Sequence, residues 1–144
     1  MEKDFFVLTK LLHLLIKKGK KAKALKIFLN VLKKLKEAKL NVPAVEIISQ
    51  AVENVKPSLH VKKVKKSTKI FYLPKVVSLK QKVNLSLHWI VKSADNRSER
   101  KFEDKLAQEL LDCYNGTGLT IAKKQALYDT LNQNRPFLHM LRYK

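Results

Sequence analysis

The sequence predicts a mainly α fold: a bundle of about six helices carrying one protruding β-hairpin arm. Three observations support this. Apolar residues recur at helical spacing over most of the chain. One stretch, at about residues 59–74, alternates with the period of a strand. The length of 144 residues, with 45% hydrophobic residues and three glycines, suits one packed domain. No internal repeat, flexible linker or low-complexity tract divides residues 1–144. A chain of this size buries roughly 70% of its unfolded surface, so a core forms without staples.

The first helix is expected from about Phe5 to Lys18, with Phe5, Leu8, Leu12 and Leu15 as its stripe. Gly19 ends it behind lysines in the last turn. The second runs from about Lys21 to Ala38, with Leu25, Phe28, Leu32 and Leu35 facing inward. Pro43 suits the first position of a third helix, whose seam is Val45, Ile48, Val52 and Val55. Pro57 stops it.

The hairpin follows. Leu59 and Val61 alternate with His60 and Lys62, and Ile70 to Leu73 is rich in strand formers. Its turn falls near Lys66 to Thr68, and Pro74 is expected to end its second strand. Ser78 with Gln81 forms a capping box for a fourth helix, which buries Val83, Leu87, Ile90 and Ala94, with Trp89 beside them. Asn96 with Glu99 reads as a second capping box. It opens a fifth helix with Phe102, Leu106 and Leu110 on its seam and Asn115-Gly116 at its end. A last helical segment runs from about Thr120 to Tyr143, broken or kinked at Pro136.

The charge balance narrows the function. Against 12 acidic residues stand 31 Lys+Arg, a net charge of +19. Self-repulsion of that size disfavours the compact chain unless a polyanion neutralises it. Nucleic acid leads, and an anionic membrane surface comes second. The apolar run MEKDFFVLTKLLHLLIKK is broken by Lys10 and His13 and is too short to span a bilayer. Glu2 and Asp4 argue against a signal or transit peptide, so the run reads as the first helix of the mature protein.

Chemistry of other kinds is hard to build. Gly19-Lys20-Lys21 lacks the earlier glycine and the magnesium-holding hydroxyl of a phosphate loop. Glu99, Glu103 and Asp104 complement a helix N-terminus rather than pair as acid and base. Cys113 is alone, which excludes an intrachain disulfide and suits a reducing compartment. His13, His60, His88 and His139 show no ligand spacing. No enzyme, metal site or cofactor is expected.

Four basic clusters remain. Lys17, Lys18, Lys20 and Lys21 surround the first helix junction. Lys62, Lys63, Lys65, Lys66 and Lys69 crowd the hairpin. Arg97, Arg100 and Lys101 flank the start of the fifth helix, and Lys123 and Lys124 lie on the last. Any one is explicable as a solvated face, but four together favour additive phosphate contacts. Only four of the cations are arginine, so bidentate base readout is minor and lysine acts as a point charge. The sum describes a reader of backbone and shape, which suits folded RNA.

The order of these pieces resembles the family of the universal small-subunit ribosomal protein seven. AVENVKP (residues 51–57) before the hairpin matches best. KKGKKAKALKIF around Gly19, HWIVKSADNRSERK from His88, KLAQELLD, the AKK at Ala122 and NRPFLHMLRY follow in order. The resemblance implies an architectural protein that binds the three-prime major domain of small-subunit rRNA and organises assembly of the subunit head. It implies neighbouring small-subunit proteins as partners, with mRNA and exit-site tRNA near the hairpin, and neither a membrane nor a homo-oligomer. Carried over by position, the rRNA contacts are Lys17, Lys20, Lys21, Lys56, Lys62, Lys63, Lys65, Arg97, Arg100, Lys101, Lys123, Lys124 and Arg135. Lys66 and Lys69 join them on charge. Phe71 or Tyr72 is a candidate to stack on a base, or to pair across strands with Val61 or Leu59.

Three departures stand out. The family's basic arm before the first helix has no counterpart ahead of Phe5 in this sequence, so its rRNA contacts are expected to be missing or to come from a neighbour. Ser67-Thr68 replaces a glycine pair at the hairpin tip, and Pro136 falls where the family continues as helix. Lysine in place of arginine suggests an organelle-encoded chain, mitochondrial matrix before plastid. A repressor that binds mRNA through the same basic surface is the alternative function.

Overall fold

A computed structural model describes residues 2–38 and 41–142. Tyr143, the expected end of the last helical segment, lies outside the described residues. Among them the order is α1 (Glu2–Leu15), α2 (Lys21–Ala38), α3 (Ala44–Val55), β1 (Leu59–Lys66), β2 (Lys69–Val76), α4 (Leu79–Asp95), α5 (Phe102–Tyr114) and α6 (Leu119–Gln133). A 3-10 segment, Arg135–Arg142, follows. The fold is mainly helical with one antiparallel hairpin, as the sequence predicts.

Helix α5 sits centrally and packs on α2, α3 and α4. Its Leu106 and Leu110 meet Ile47, Ile48 and Val52 of α3 and Leu87 and Ile90 of α4 in one fully buried cluster. The α4 face Val83, Leu87, Ile90 and Ala94 is buried as expected, and Trp89 packs at its edge. Ser78 caps α4 reciprocally. Its Oγ accepts from the Gln81 N–H at 3.4 Å, and Gln81 Oε1 accepts from the Ser78 N–H at 3.2 Å.

The stripes of the first three helices are turned from those expected. Helix α1 buries Val7, Leu11 and Leu15, leaving Phe5 73% exposed. Helix α2 buries Ala24, Phe28, Val31 and Leu35, and Leu25 faces outward. In α3, Ile47 and Ala51 join Ile48, Val52 and Val55, and Val45 lies at the rim. These helices carry apolar residues around much of their circumference, so period alone leaves the inward direction open. The inward faces include the small residues Ala24 and Ala51.

Several boundaries move. Helix α1 stops at Leu15, so Lys17 and Lys18 lie beyond it. Pro43 is the N-cap of α3, not its first residue, and its carbonyl accepts from the N–H groups of Glu46 and Ile47. Strand β2 continues through Pro74 to Val76. In a two-stranded ribbon both strands are edges, where proline is tolerated. The pairing also differs: Val61 faces Pro74 and Leu59 faces Val76, while Phe71 faces Val64 and Tyr72 faces Lys63. Asn96 is the C-cap of α4 and builds no box with Glu99. Glu99 accepts from Arg97 instead, and α5 starts later with Lys101 as N-cap. Asn115-Gly116 closes α5 as expected.

Candidate nucleic-acid interface

The α1–α2 junction is a tight reversal. Lys18 (φ 53) and Gly19 (φ 72) both take the left-handed region, and the Lys21 N–H donates to the Gly19 carbonyl at 2.9 Å. Glycine adopts this geometry freely, whereas Lys18 bears a steric cost. The reversal faces the α4–α5 turn across a cavity of about 550 Å³. Lys17, Lys18, Lys20, Lys23, Arg100 and Lys105 rim it, and Asp95 is its one acidic lining residue. Leu14, Ala24, Ile27, Val91 and Phe102 form its floor. Two basic clusters that are far apart in sequence thus meet at one opening. Lys18 joins it from the first basic cluster, and Lys23, Lys105 and Phe102 belong to it although the sequence marks none of these three as a contact. Lys21, exposed at the head of α2, and Lys101, exposed at the head of α5, do not line it.

The arm carries the densest charge. Lys62, Lys63, Lys65, Lys66 and Lys69 are all exposed. The strict alternation fails after Val61, because Val64 follows at three residues rather than two. Cross-strand partners share a face. Lys62, Lys66 and Lys69 therefore lie on one face with Val64, Phe71 and Leu73, and Lys63 and Lys65 lie on the other with Tyr72 and Ile70. Both faces carry exposed lysines, although Leu73 is fully buried and Phe71 is covered in part by Phe137. Lys66 stands directly opposite Lys69, a repulsive pair at the tip. The turn residues are Ser67 and Thr68, and Ser67 takes positive φ (57) without being glycine.

The arm is braced by the end of the chain. Tyr128 Oη on α6 accepts from the Ser58 N–H and bonds the Ser58 hydroxyl, both at 3.0 Å. Asn134 Oδ1 accepts from the Tyr72 N–H at 3.4 Å. The Phe137 ring lies 4.7 Å from that of Phe71, tilted by 52°. Lys63 Nζ sits 5.9 Å from the Tyr72 ring. Phe71 and Tyr72 thus have partners inside the protein.

Other basic residues hold the structure together. Arg97 points inward, with 17% of its side chain exposed. It donates through Nη1 to Glu109 Oε2 and Asp112 Oδ2 at 2.8 Å each, and through Nε to Glu99 Oε1 at 3.0 Å. Burial alone lowers its pKa, but these three carboxylates outweigh that and raise it. Glu109 has no exposure at all and also accepts from the Thr120 N–H at 3.1 Å and hydroxyl at 2.5 Å. Gly118 makes that approach possible: at φ 96, a Cβ there would stand 3.0 Å from the Asp112 Cβ. Arg97 therefore locks the α4–α5 turn to the start of α6, and Arg100 and Lys101 are the outward cations of that turn.

Lys124 Nζ donates to the Asn54 carbonyl at 2.9 Å, and Lys56 pairs with Glu53. The Lys123 pKa is lowered, by burial first and then by the charge of Lys92. Arg135 is exposed at the start of the 3-10 segment beside the arm. Among the described residues no helix is long and apolar enough to cross a membrane, and no group of acidic, His and Cys side chains is placed to hold a metal.

Comparison with known proteins bears on this surface. The family model described as "Ribosomal protein S7p/S5e" matches residues 2–135. The chain is 38% identical over 133 residues to a protein of a Nitratiruptor species named small ribosomal subunit protein uS7, covering 92% of this chain and 85% of that one. It is 35% identical, over the same shares, to the protein of that name from Geotalea uraniireducens, and 33% to that from Campylobacter concisus.

Proposed function

The chain belongs to the ribosomal protein S7p/S5e family, and from that premise we propose that it is a structural constituent of the small ribosomal subunit. It holds small-subunit rRNA through the rim of the α1–α2 cavity, the two-faced lysine arm and the outward cations Arg100 and Lys101. The observation that carries this reading is the convergence of six cations around one opening with a single carboxylate. Asp95 alone leaves most of that charge unbalanced, and phosphate is the natural counter-charge. Each phosphate neutralised releases counterions, so the contacts add.

The rRNA segment proposed is the three-prime major domain, with the protein organising the subunit head. The arm then lies near exit-site tRNA and mRNA, and small-subunit proteins are its neighbours. Lys21, Lys123 and Arg135 extend the contact surface. Lys56 and Lys124 reach RNA only with charge left over from their internal bonds. Arg97 contributes by holding the turn in shape. Lysine's dominance over arginine supports an organelle ribosome, mitochondrial before plastid.

Gradient sedimentation of native lysate followed by RNA crosslinking tests this. The chain is expected to co-migrate with the small subunit and to crosslink to rRNA from residues 62–69 and from Arg100 and Lys101. A chain confined to light fractions, crosslinked to mRNA alone, would replace the structural role with that of a repressor.

A further inference from the structure

We propose that the cavity between the α1–α2 turn and the head of α5 takes a single unstacked nucleotide of the bound RNA. Its base lies against Phe102, and its flanking phosphates lie on Lys17, Lys20 and Arg100. The inference rests on the rRNA-binding reading and adds to it a site for a base.

A surface that only tracks phosphates needs no apolar floor. This one has Leu14, Ile27 and Phe102 beneath a cationic rim. The volume of about 550 Å³ falls within the range of about 300–1,000 Å³ that small ligands occupy. The Phe102 ring shows a face to the opening, because the exposed Lys17 ammonium lies 5.9 Å from its centroid. A flexible lysine can swing from that face onto a phosphate. The rim demands an anion, and the floor demands a flat or apolar body attached to it. Duplex backbone offers charge alone. An acidic peptide satisfies the rim but leaves the ring without a partner. A nucleotide in a loop or bulge offers a π-face between two phosphates, the form in which proteins most often read RNA bases.

The test uses the full chain and a transcript of the three-prime major domain of small-subunit rRNA, with affinity measured across a salt series. Phe102→Leu keeps the apolar volume but removes the ring. It is expected to weaken binding about tenfold while leaving the slope of log K against log salt unchanged. Lys17→Gln with Lys20→Gln weakens binding and flattens that slope by about 1–2. A second readout needs no substitution: zero-length ultraviolet crosslinking of the native complex, with a nucleotide adduct expected on Phe102. Full affinity in Phe102→Leu beside a weakened lysine variant, or adducts everywhere but this cavity, overturns the base site and leaves rRNA binding standing. Crosslinks from the cavity to a protein neighbour in intact subunits overturn it in favour of an acidic peptide. Failure of the unaltered chain to bind the transcript above non-specific RNA removes the underlying reading itself.

Discussion

Replacing Arg97 with alanine should destabilise the protein more than any other single loss of a cation. The reason lies in the partners it leaves behind. Asp112 and Glu99 keep 25% and 30% of their side-chain exposure, so both rehydrate at small cost. Glu109 is fully buried and has no access to water. Its two bonds from Thr120 persist, but its charge loses the partner 2.8 Å away. Stranding one member of a buried ion pair costs about 3–5 kcal/mol. At this chain length 1 kcal/mol moves Tm by about 2–4 °C, so thermal unfolding by circular dichroism should fall by roughly 6–20 °C. The double variant Arg97→Met with Glu109→Gln should recover most of that loss. The amide oxygen of glutamine still accepts from Thr120, and no charge remains buried. The clamp also shapes the acid limit. The Glu99 carboxyl is held below its usual range by a backbone hydrogen bond at its own residue and then by Arg97. A carboxyl depressed in the folded state gives stability that is present above its unfolded pKa and lost as pH falls through the folded value. Removing Arg97 therefore moves the acid transition to higher pH. A loss below 1 kcal/mol in Arg97→Ala, or no recovery in the double variant, would refute the assignment of Glu109 as a charge that depends on Arg97.

Three further outcomes follow from the same structure. Ser67→Gly relieves the positive φ at the arm's tip and should stabilise the hairpin by about 0.5–1 kcal/mol, read as slower hydrogen exchange across residues 59–76; faster exchange contradicts the strain argument. The Cys113 thiol is pushed up to about 12, chiefly by burial, so alkylation at pH 8 should be at least about 100-fold slower in the folded chain than in urea; comparable rates would show that α5 opens locally. With +19 net charge, stability in urea should rise on the order of 1 kcal/mol from low to physiological salt; a fall contradicts self-repulsion.

How far the sequence speaks depends on the range of the interaction. The Ser78–Gln81 box and the Val83, Leu87, Ile90, Ala94 face are local, and both are legible. The Asn96–Glu99 pair fits the same pattern and fails, because Asn96 stays in the right-handed helical region as the C-cap of α4 and Glu99 bonds Arg97 instead. The inward faces of α1 and α2 depend on which neighbour approaches and at what distance, and no periodicity encodes that. The basic clusters are visible one by one. Their meeting over Phe102 is not, since the α1–α2 turn and the α5 head are joined only by packing. Arg97 resembles its exposed neighbours in sequence because nothing local shows that Glu109, twelve positions on, is buried.

The brace on the arm imposes an order in time. The hairpin is complete once residue 76 has been made, but Tyr128, Asn134 and Phe137 follow much later in the chain. At about 5–20 residues per second, several seconds of synthesis separate the two. Through that interval a nascent chain carries its lysine finger unanchored, repelled by the other clusters and without its aromatic contact. The arm acquires a fixed direction only when translation of the chain is almost over. A messenger truncated just before codon 128 would yield a protein with most of its core and its lysines, but with an arm free to swing.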